Sequence, residues 1–412
     1  MVMTISTTTQ RRYILGKQGL WPGRRWHGLE GTAQAIHATE AVQIDPVSVV
    51  ACSHDIVLWG RVSEYQPEYL QKQAYEERRF FDYGGWLRMY PMAELPYWRP
   101  RMLRYKAYQR WQDFAATQVE LVENVRQVIR DRGPLRSRDL AGEAVTHYRA
   151  GKDTGVALYY LWLTGELMTH GRQGKERVYD FLENIAPTEW QHSATEEESA
   201  NFFLRKDIAN WGLITMADFR RMLKDAWARP LAPKEAQHTL ARMLAAGELA
   251  EVRIEGQKDP AYFLGEDMGI MAELADGRVP VAWQTESPTT TDEVIFLSPL
   301  EFVSARGRAA KLFGFDYIWE IYKPAEQRQY GPYTMPILYG DRLVGRMDSK
   351  FDRAQQTYVI NGLWLEDWFH PDSAFAAAFA QGLQRFADFL GAARMDTAVL
   401  APAELRAAVE SL

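Results

Sequence analysis

Two hydrophobic periods run along this 412-residue chain, and the change from one to the other divides it. Up to about residue 279 the helical period prevails. In ELVENVRQVIRDR, from Glu120, Leu, Val and Ile recur every three or four residues, so one face of a helix is buried. That run breaks at Gly133. PLRSRDLAG follows, then apolar GVALYYLWLTGELMTH and the extended stretch RQGKERVYDFL. The same order returns after roughly 80 residues, an internal repeat: FFLRKDIANW, a break at Gly212, LITMADFRRML, APKEAQHTLARMLAAGELAEV and RIEGQKDPAYFL. Gly133 corresponds to Gly212, Asp139 to Asp218, Gly165-Glu166-Leu167 to Gly247-Glu248-Leu249, and Tyr179 to Tyr262. Each break ends one helix, and Ser137 or Thr215 is placed to cap the next. Turns at Gln173-Gly174-Lys175 and Gly256-Gln257-Lys258-Asp259 join two extended segments into a hairpin. Helix, helix, helix, hairpin is a winged helix, whose third helix commonly enters the major groove. Such modules also pair with proteins.

The region over 9–90 reads as a diverged third copy. QRRYILGKQGL, LEGTAQAIHATEA, HDIVLWGRV and PEYLQKQAYEE predict helices, VQID a short extended piece closed by Pro46, and RRFFDYGGWLRMY a hairpin. One long basic helix over 93–116 is expected to link it to the first clear repeat. From Pro280 the period becomes two, in DEVIFLSPLEFVS, FDYIWEIYKP, TMPILYGDRLVGRMDSK and QQTYVINGLWLE, which predicts an antiparallel sheet or small barrel. Amphipathic SAFAAAFAQGLQRFADFLGA is expected to pack across it. The fold class is therefore α+β, mainly α, with three tandem winged helices and a β-barrel-like domain. The expected boundaries are 9–116, 117–190, 191–279 and 280–412.

Composition adds limits. No apolar run approaches the roughly 20 residues that span a bilayer, and the Thr-rich start, Met1–Gln10, lacks the apolar core of a signal peptide. The single Cys52 excludes an internal disulfide framework and a multi-cysteine zinc site. A cytoplasmic protein is expected, nucleoid-associated when on DNA. The net charge of −6 disfavours nucleic acid globally, but the cations cluster. Arg11, Arg12, Lys17, Arg24 and Arg25 all precede the first acid, Glu30, and five basic residues interleave with five aromatics over Tyr97–Trp111. Local basic patches set phosphate affinity; solvated helix faces with snorkelling Arg stems are the competing account. No phosphate-binding GxxxxGK[ST] or GxGxxG occurs, the eight His residues have no metal-ligand spacing, and no nucleophile elbow appears. Neither cofactor nor metal is expected. The residues alone leave open a DNA-binding regulator and a protein-interaction scaffold.

The segments QRRYILGKQGL, EAVQIDPVSVVACSHDIVLWGRV and LFGFDYIWEIYKPAEQRQYGPYTMPILYGDRLVGRMDSKFDR together resemble the YcaQ-like winged-helix DNA glycosylases. That family includes the glycosylase that confers resistance to azinomycin B and others that unhook interstrand crosslinks. The resemblance covers nearly the whole chain and implies three winged helices followed by a β-barrel, in a monomer acting on double-stranded DNA with alkylated or crosslinked purines. The family's Gln-apolar-Gln or Gln-apolar-Asp element corresponds here to Gln43-Ile44-Asp45. LSPLEFVSARGRA, over 297–309, departs from the family's common SPFDxxxWDR, as DYGGWLRMYP does from a Tyr-Trp…His stretch.

The chemistry of the triplet is sensible. Residues i and i+2 of an extended segment project to one side, so Gln43 and Asp45 face one sugar while Ile44 anchors in the core. A cationic N7-alkylpurine is already an activated leaving group. The expectation is that Asp45 stabilises the oxocarbenium-like sugar and acts as general base, while Gln43 holds the water. The bland alternative is that both simply turn the chain before Pro46. Arg11 and Arg12 on the first helix are expected to contact the DNA backbone. So are Arg346, Lys350 and Arg353 of GRMDSKFDR, where alternation puts Arg346, Asp348 and Lys350 on one face; an internal salt-bridge cluster is the other account of that motif.

Overall fold

Ser6 begins the first helix, its hydroxyl accepting the Thr9 N–H at 3.0 Å. The computed structural model, which describes residues 2–140 and 153–411, begins with β1 (Met3–Ile5) before that helix, α1 (Thr7–Lys17), and continues through α2 (Gly28–Ala38), β2 (Val42–Gln43) and α3 (Ser53–Trp59). The next elements are the hairpin β3 (Phe80–Tyr83) and β4 (Arg88–Pro91), then α4 (Leu95–Arg104) and α5 (Gln109–Thr117). The single helix expected over 93–116 is thus broken. A short 3-10 turn follows α4, and Tyr108 is extended at ψ 127°. No Gly or Pro marks that break, and the Tyr105 and Tyr108 rings meet edge to face across it at 5.3 Å.

The described chain forms two compact units. One holds the chain up to Tyr69, Lys206–Met222 and the chain from Pro230 on; the other holds Leu70–Arg205 and Leu223–Arg229.

The internal repeat is visible in matching backbone detail. The first copy has α6 (Val119–Arg132), α7 (Asp153–Leu163) and the antiparallel hairpin β5 (Leu167–Gln173) and β6 (Glu176–Phe181). The helix expected to follow Ser137 falls mostly on 141–152, outside the described residues. The second copy has α8 (Glu196–Trp211), α9 (Met216–Trp227), α10 (Glu235–Ala245) and the hairpin β7 (Leu249–Ile254) and β8 (Ala261–Leu264). Gly133 and Gly212 end their helices at φ 76° and 73°, and Gly165 and Gly247 both sit at φ 73°, backbone that favours glycine. Leu135 bridges Tyr179 just as Ile214 bridges Tyr262. Thr215 caps α9 reciprocally with Asp218, each side chain taking the other's N–H. β1 adds to the second hairpin as a parallel strand, Met3 opposite Val252.

The C-terminal region is a curled half-barrel sheet, and the whole is mixed α and β. Its order is β9 (Ile295–Phe296), β10 (Thr334–Tyr339), β11 (Arg342–Asp352), β12 (Thr357–Leu365) and β13 (Arg394–Asp396), antiparallel except for the last pair. α11 (Ser373–Leu390) packs on it as its amphipathic pattern predicts, burying Phe375, Phe379, Leu383 and Phe386. Each such side chain contributes about 1.5–3 kcal/mol of burial. Gly382 permits the close approach: a Cβ there would lie 2.5 Å from the Val294 carbonyl oxygen. Among the described residues, no helix is long and apolar enough to cross a membrane.

Candidate active site

The triplet sits on β2 and the turn after it. Val42 and Ile44 are buried, while Gln43 and Asp45 are half-buried on the other side. Period-two alternation thus does what the residues suggest: the apolar pair anchors and the polar pair faces out. Asp45 Oδ1 accepts the Val47 N–H at 2.8 Å, closing the turn around Pro46. Its Oδ2 has no protein partner among the described residues. Gln43 Oε1 accepts from Arg306 Nη2 at 3.0 Å, and its Nε2 has no protein partner among them. The turn-forming role and an available carboxylate oxygen coexist in Asp45.

The chain after Asp45 is irregular, and the half-barrel clamps it. Arg353 donates to the carbonyls of Ser48 and Val50, at 3.2 and 2.9 Å, and to the Ser48 hydroxyl. The Phe351 N–H donates to Val49 O at 3.1 Å, and the Tyr333 hydroxyl to Ala51 O at 3.1 Å. Ser53, at the start of α3, hydrogen-bonds Ser298. Tyr333 is itself fixed from behind by Asp348, which accepts its N–H at 2.8 Å and takes Asn361 Nδ2 at 2.9 Å. Burial pushes the Tyr333 phenol well up, and the charge of Asp45 adds to the effect, so this ring lies in the field of the candidate carboxylate. Burial likewise raises the Asp348 carboxyl, against the pull of its two donors.

The predicted phosphate contacts separate into two groups. Arg346 is buried, 6% exposed: it pairs with Glu366 at 2.9 Å, donates to Asp316 O and lies over the Phe315 and Tyr330 rings. Arg346 is thus engaged inside the protein, as the salt-bridge account of that motif has it. Arg11 likewise holds Asp341 of the β10–β11 turn at 3.2 Å, with an 11% exposed side chain. Arg12 is more open, with its guanidinium over Trp21 and 3.9 Å from Asp341. Lys350 is exposed; Arg353 is exposed but engaged with Ser48 and Val50.

The same outcome extends along the N-terminal cation cluster. Lys17 pairs with Asp267 at 2.9 Å, buried Arg24 with Glu293 at 2.6 Å, and Arg25 reaches the Gly16 carbonyl between Trp26 and Trp283. Between Tyr97 and Trp111, Arg99 holds the Gly165 carbonyl, Arg104 pairs with Glu196, and Arg101 lies over Phe203. Much of the clustered charge is internal.

Sequence reasoning missed Arg306, Tyr333 and Asp55. Arg306 is exposed in left-handed backbone at φ 57°, within the segment that departs from the family pattern. Before it, Glu301 makes a two-pronged pair with buried Arg61, at 2.8 and 2.9 Å, which ties that segment to the chain after α3. Asp55 accepts the Tyr65 hydroxyl at 2.7 Å, and burial raises its carboxyl against the opposing influence of His54 and Tyr65. Cys52, His54 and Asp55 bring a thiol, an imidazole and a carboxylate within 4.8 Å of one another, although the Tyr65 hydrogen bond already occupies one Asp55 oxygen.

Comparison with known proteins converges on one class. The solved structure of the Streptomyces sahachiroi DNA glycosylase AlkZ superposes with a TM-score of 0.61 over 95% of this chain and 99% of that one, at 17% identity. That likeness is one of fold. The family model described as "DNA glycosylase AlkZ-like" matches residues 36–389, a span that includes the triplet, its clamped loop and most of the half-barrel. The chain therefore belongs to the AlkZ-like DNA glycosylase family, and is an enzyme of that class.

Proposed function

We propose that this glycosylase hydrolyses the N-glycosidic bond of N7-alkylated purines in double-stranded DNA, including those within interstrand crosslinks, with Gln43 and Asp45 as the catalytic pair. The observation that carries this reading is that Gln43 and Asp45 are half-buried while Val42 and Ile44 beside them are buried. One carboxylate oxygen is fixed by Val47 and the other has no protein partner among the described residues. Water bonds to C1′ as the C1′–N9 bond breaks, and the bond's electron pair neutralises the cationic base. Asp45 takes the proton from the water and its negative charge faces the oxocarbenium-like sugar. No lysine nucleophile is invoked, so the enzyme is monofunctional and leaves an abasic strand uncut.

The half-buried setting of the pair suits a bulky, crosslinked base better than an enclosed flipping pocket would. In this reading three winged helices, over 9–116, 117–190 and 191–279, precede the β domain at 280–412, and the protein works as a monomer. Among Arg11, Arg12, Arg346, Lys350 and Arg353, the more exposed Arg12, Lys350 and Arg353 are the favoured candidates for DNA-backbone contact.

The test is to incubate the protein with one duplex carrying a single N7-methylguanine and another carrying a nitrogen-mustard crosslink. Expected are release of the methylated base, separation of the crosslinked strands, and an abasic site that breaks only on later alkali treatment. Retained binding with no release from either duplex would refute the lesion class, and strand scission without alkali would refute the monofunctional step.

A further inference from the structure

The stretch 315–331, between the helical turn at Arg308–Phe313 and β10, is pinned from within and presents apolar side chains to solvent. Phe315, Tyr317 and Glu320 are buried. Ile318 is 59% exposed and Tyr322 81%, the most of any large hydrophobic side chain among the described residues. Apolar residues exposed singly need no explanation, but these two stand on backbone with little freedom. Glu320 accepts the N–H groups of Gln329, Tyr330 and Gly331 at 2.9, 2.8 and 3.3 Å, and Lys323 Nζ at 2.9 Å. Arg328 donates back to the Lys323 and Ile321 carbonyls at 2.9 and 3.3 Å. A loop ordered in advance loses less entropy when it binds.

Its place in the fold points to the partner. The Tyr322 ring meets Trp319 edge to face at 5.5 Å, and Trp319 meets Tyr333 at 6.2 Å. Tyr333 in turn holds the loop after Asp45 through the Ala51 carbonyl and lies in the field of the Asp45 carboxylate. A duplex whose sugar reaches Asp45 therefore comes within reach of this loop. Charge then decides which part of the duplex it suits. Asp316 and Glu326 are exposed on the same stretch, and Lys323 and Arg328 are engaged within it, so it offers a phosphate little attraction. It offers instead a flat ring and a branched aliphatic group. Aromatic rings stack on bases whatever the sequence, and aliphatic wedges part neighbouring base pairs.

We propose that Ile318 and Tyr322 form an apolar wedge that enters the base stack beside the damaged nucleotide. Opening that step lets the sugar of a bulky purine approach Asp45 without the base being enclosed. The proposal rests on placing the chemistry at Gln43 and Asp45, and its test separates the two.

Single-turnover release of N7-methylguanine is measured for the native protein, Tyr322→Ala, Tyr322→Phe and the Ile318→Ser/Tyr322→Ala double variant. Each acts on the lesion in a perfect duplex and in a mismatched bubble, with DNA affinity followed across salt. Tyr322→Ala is expected to slow release from the duplex by about 10- to 100-fold, and the double variant further, while Tyr322→Phe keeps the ring and the rate. The salt slope of binding stays as it is, because no phosphate contact is lost. In the bubble the stack is already open, so the loss shrinks to about threefold or less. A second readout needs no catalysis: 2-aminopurine placed beside the lesion should brighten when Asp45→Asn binds, and Tyr322→Ala added to that variant should abolish the rise. Native duplex rates for Tyr322→Ala and the double variant, equal losses on duplex and bubble, or brightening that survives Tyr322→Ala would each overturn the proposal. Base release by Asp45→Asn at the native rate would sink the catalytic assignment instead, and the brightening, read before release, would still decide the wedge. Both exposed positions should melt within about 2 °C of the native protein, which keeps the rate comparison interpretable.

Discussion

Replacing Asp45 with Asn separates the two functions that one carboxylate serves. Oδ1 closes the turn through Val47 N–H, and Asn retains an oxygen of the same shape for that bond. Exchanging a charged acceptor for a neutral one there costs about 1 kcal/mol, from about 1.5–3 down to about 0.5–1.5. In a chain of this size that lowers the melting temperature by at most about 2–4 °C. The chemistry fares differently. An amide accepts no proton from water and gives the sugar no negative charge, so removing the general base slows release by about 10²–10⁴-fold, or about 3–5 kcal/mol in the barrier. The assay pairs single-turnover release of N7-methylguanine with a thermal melt and duplex binding at fixed salt. A rate within threefold of native would refute the reasoning, as would a melting loss large enough to account for the lost rate. Asp45→Ala is the contrast: it abandons the Val47 N–H as well, so it loses both activity and stability.

Arg353→Ala removes three hydrogen bonds from the Ser48–Val50 stretch; base release should fall and hydrogen exchange over 46–51 should accelerate, with Arg353→Lys failing to restore the two-pronged hold. Unchanged exchange there would show that the clamp is not needed. Glu320 gives a pH signature. Burial would raise its carboxyl, but Lys323 and the N–H groups of Tyr330, Gln329 and Gly331 hold it down at about 2, against an ordinary 4.5. A depressed carboxyl contributes stability that is present above about pH 4.5 and lost as the pH falls through about 2. Glu320→Gln should therefore melt below the native protein at pH 7, by about 1–3 kcal/mol of stability, with the gap closing between those two values; a constant gap across acid titration would contradict the assignment.

Much of the architecture was legible because local rules decide it. Gly133 and Gly212, like Gly165 and Gly247, carry the left-handed turns at which helices end, and such turns leave glycine in the sequence. Alternation assigned Val42 and Ile44 inward and Gln43 and Asp45 outward, since register along an extended segment is a property of the segment itself. The amphipathic period of 373–390 announced a helix lying on a sheet, and the change to period two announced the sheet.

Charge was not legible in the same way. Five N-terminal cations standing ahead of any acid read as a patch, yet Asp267, Glu293 and Asp341, more than 240 residues away, neutralise Lys17, Arg24 and Arg11. Coulomb energy depends on distance in space, so a sequence in which the acids arrive hundreds of residues later carries no sign of the pairing. Arg346 and Lys350 share a strand and a motif, and only the packing of the half-barrel makes one an internal ion pair and leaves the other exposed. The sequence by itself thus determined the elements, the repeat and the direction in which the triplet faces. Which cations are paired inside and which stay exposed, what holds the loop after Asp45, and that Arg306 meets Gln43 across 263 positions of chain came only with the packed chain, because these depend on chain closure rather than on local periodicity.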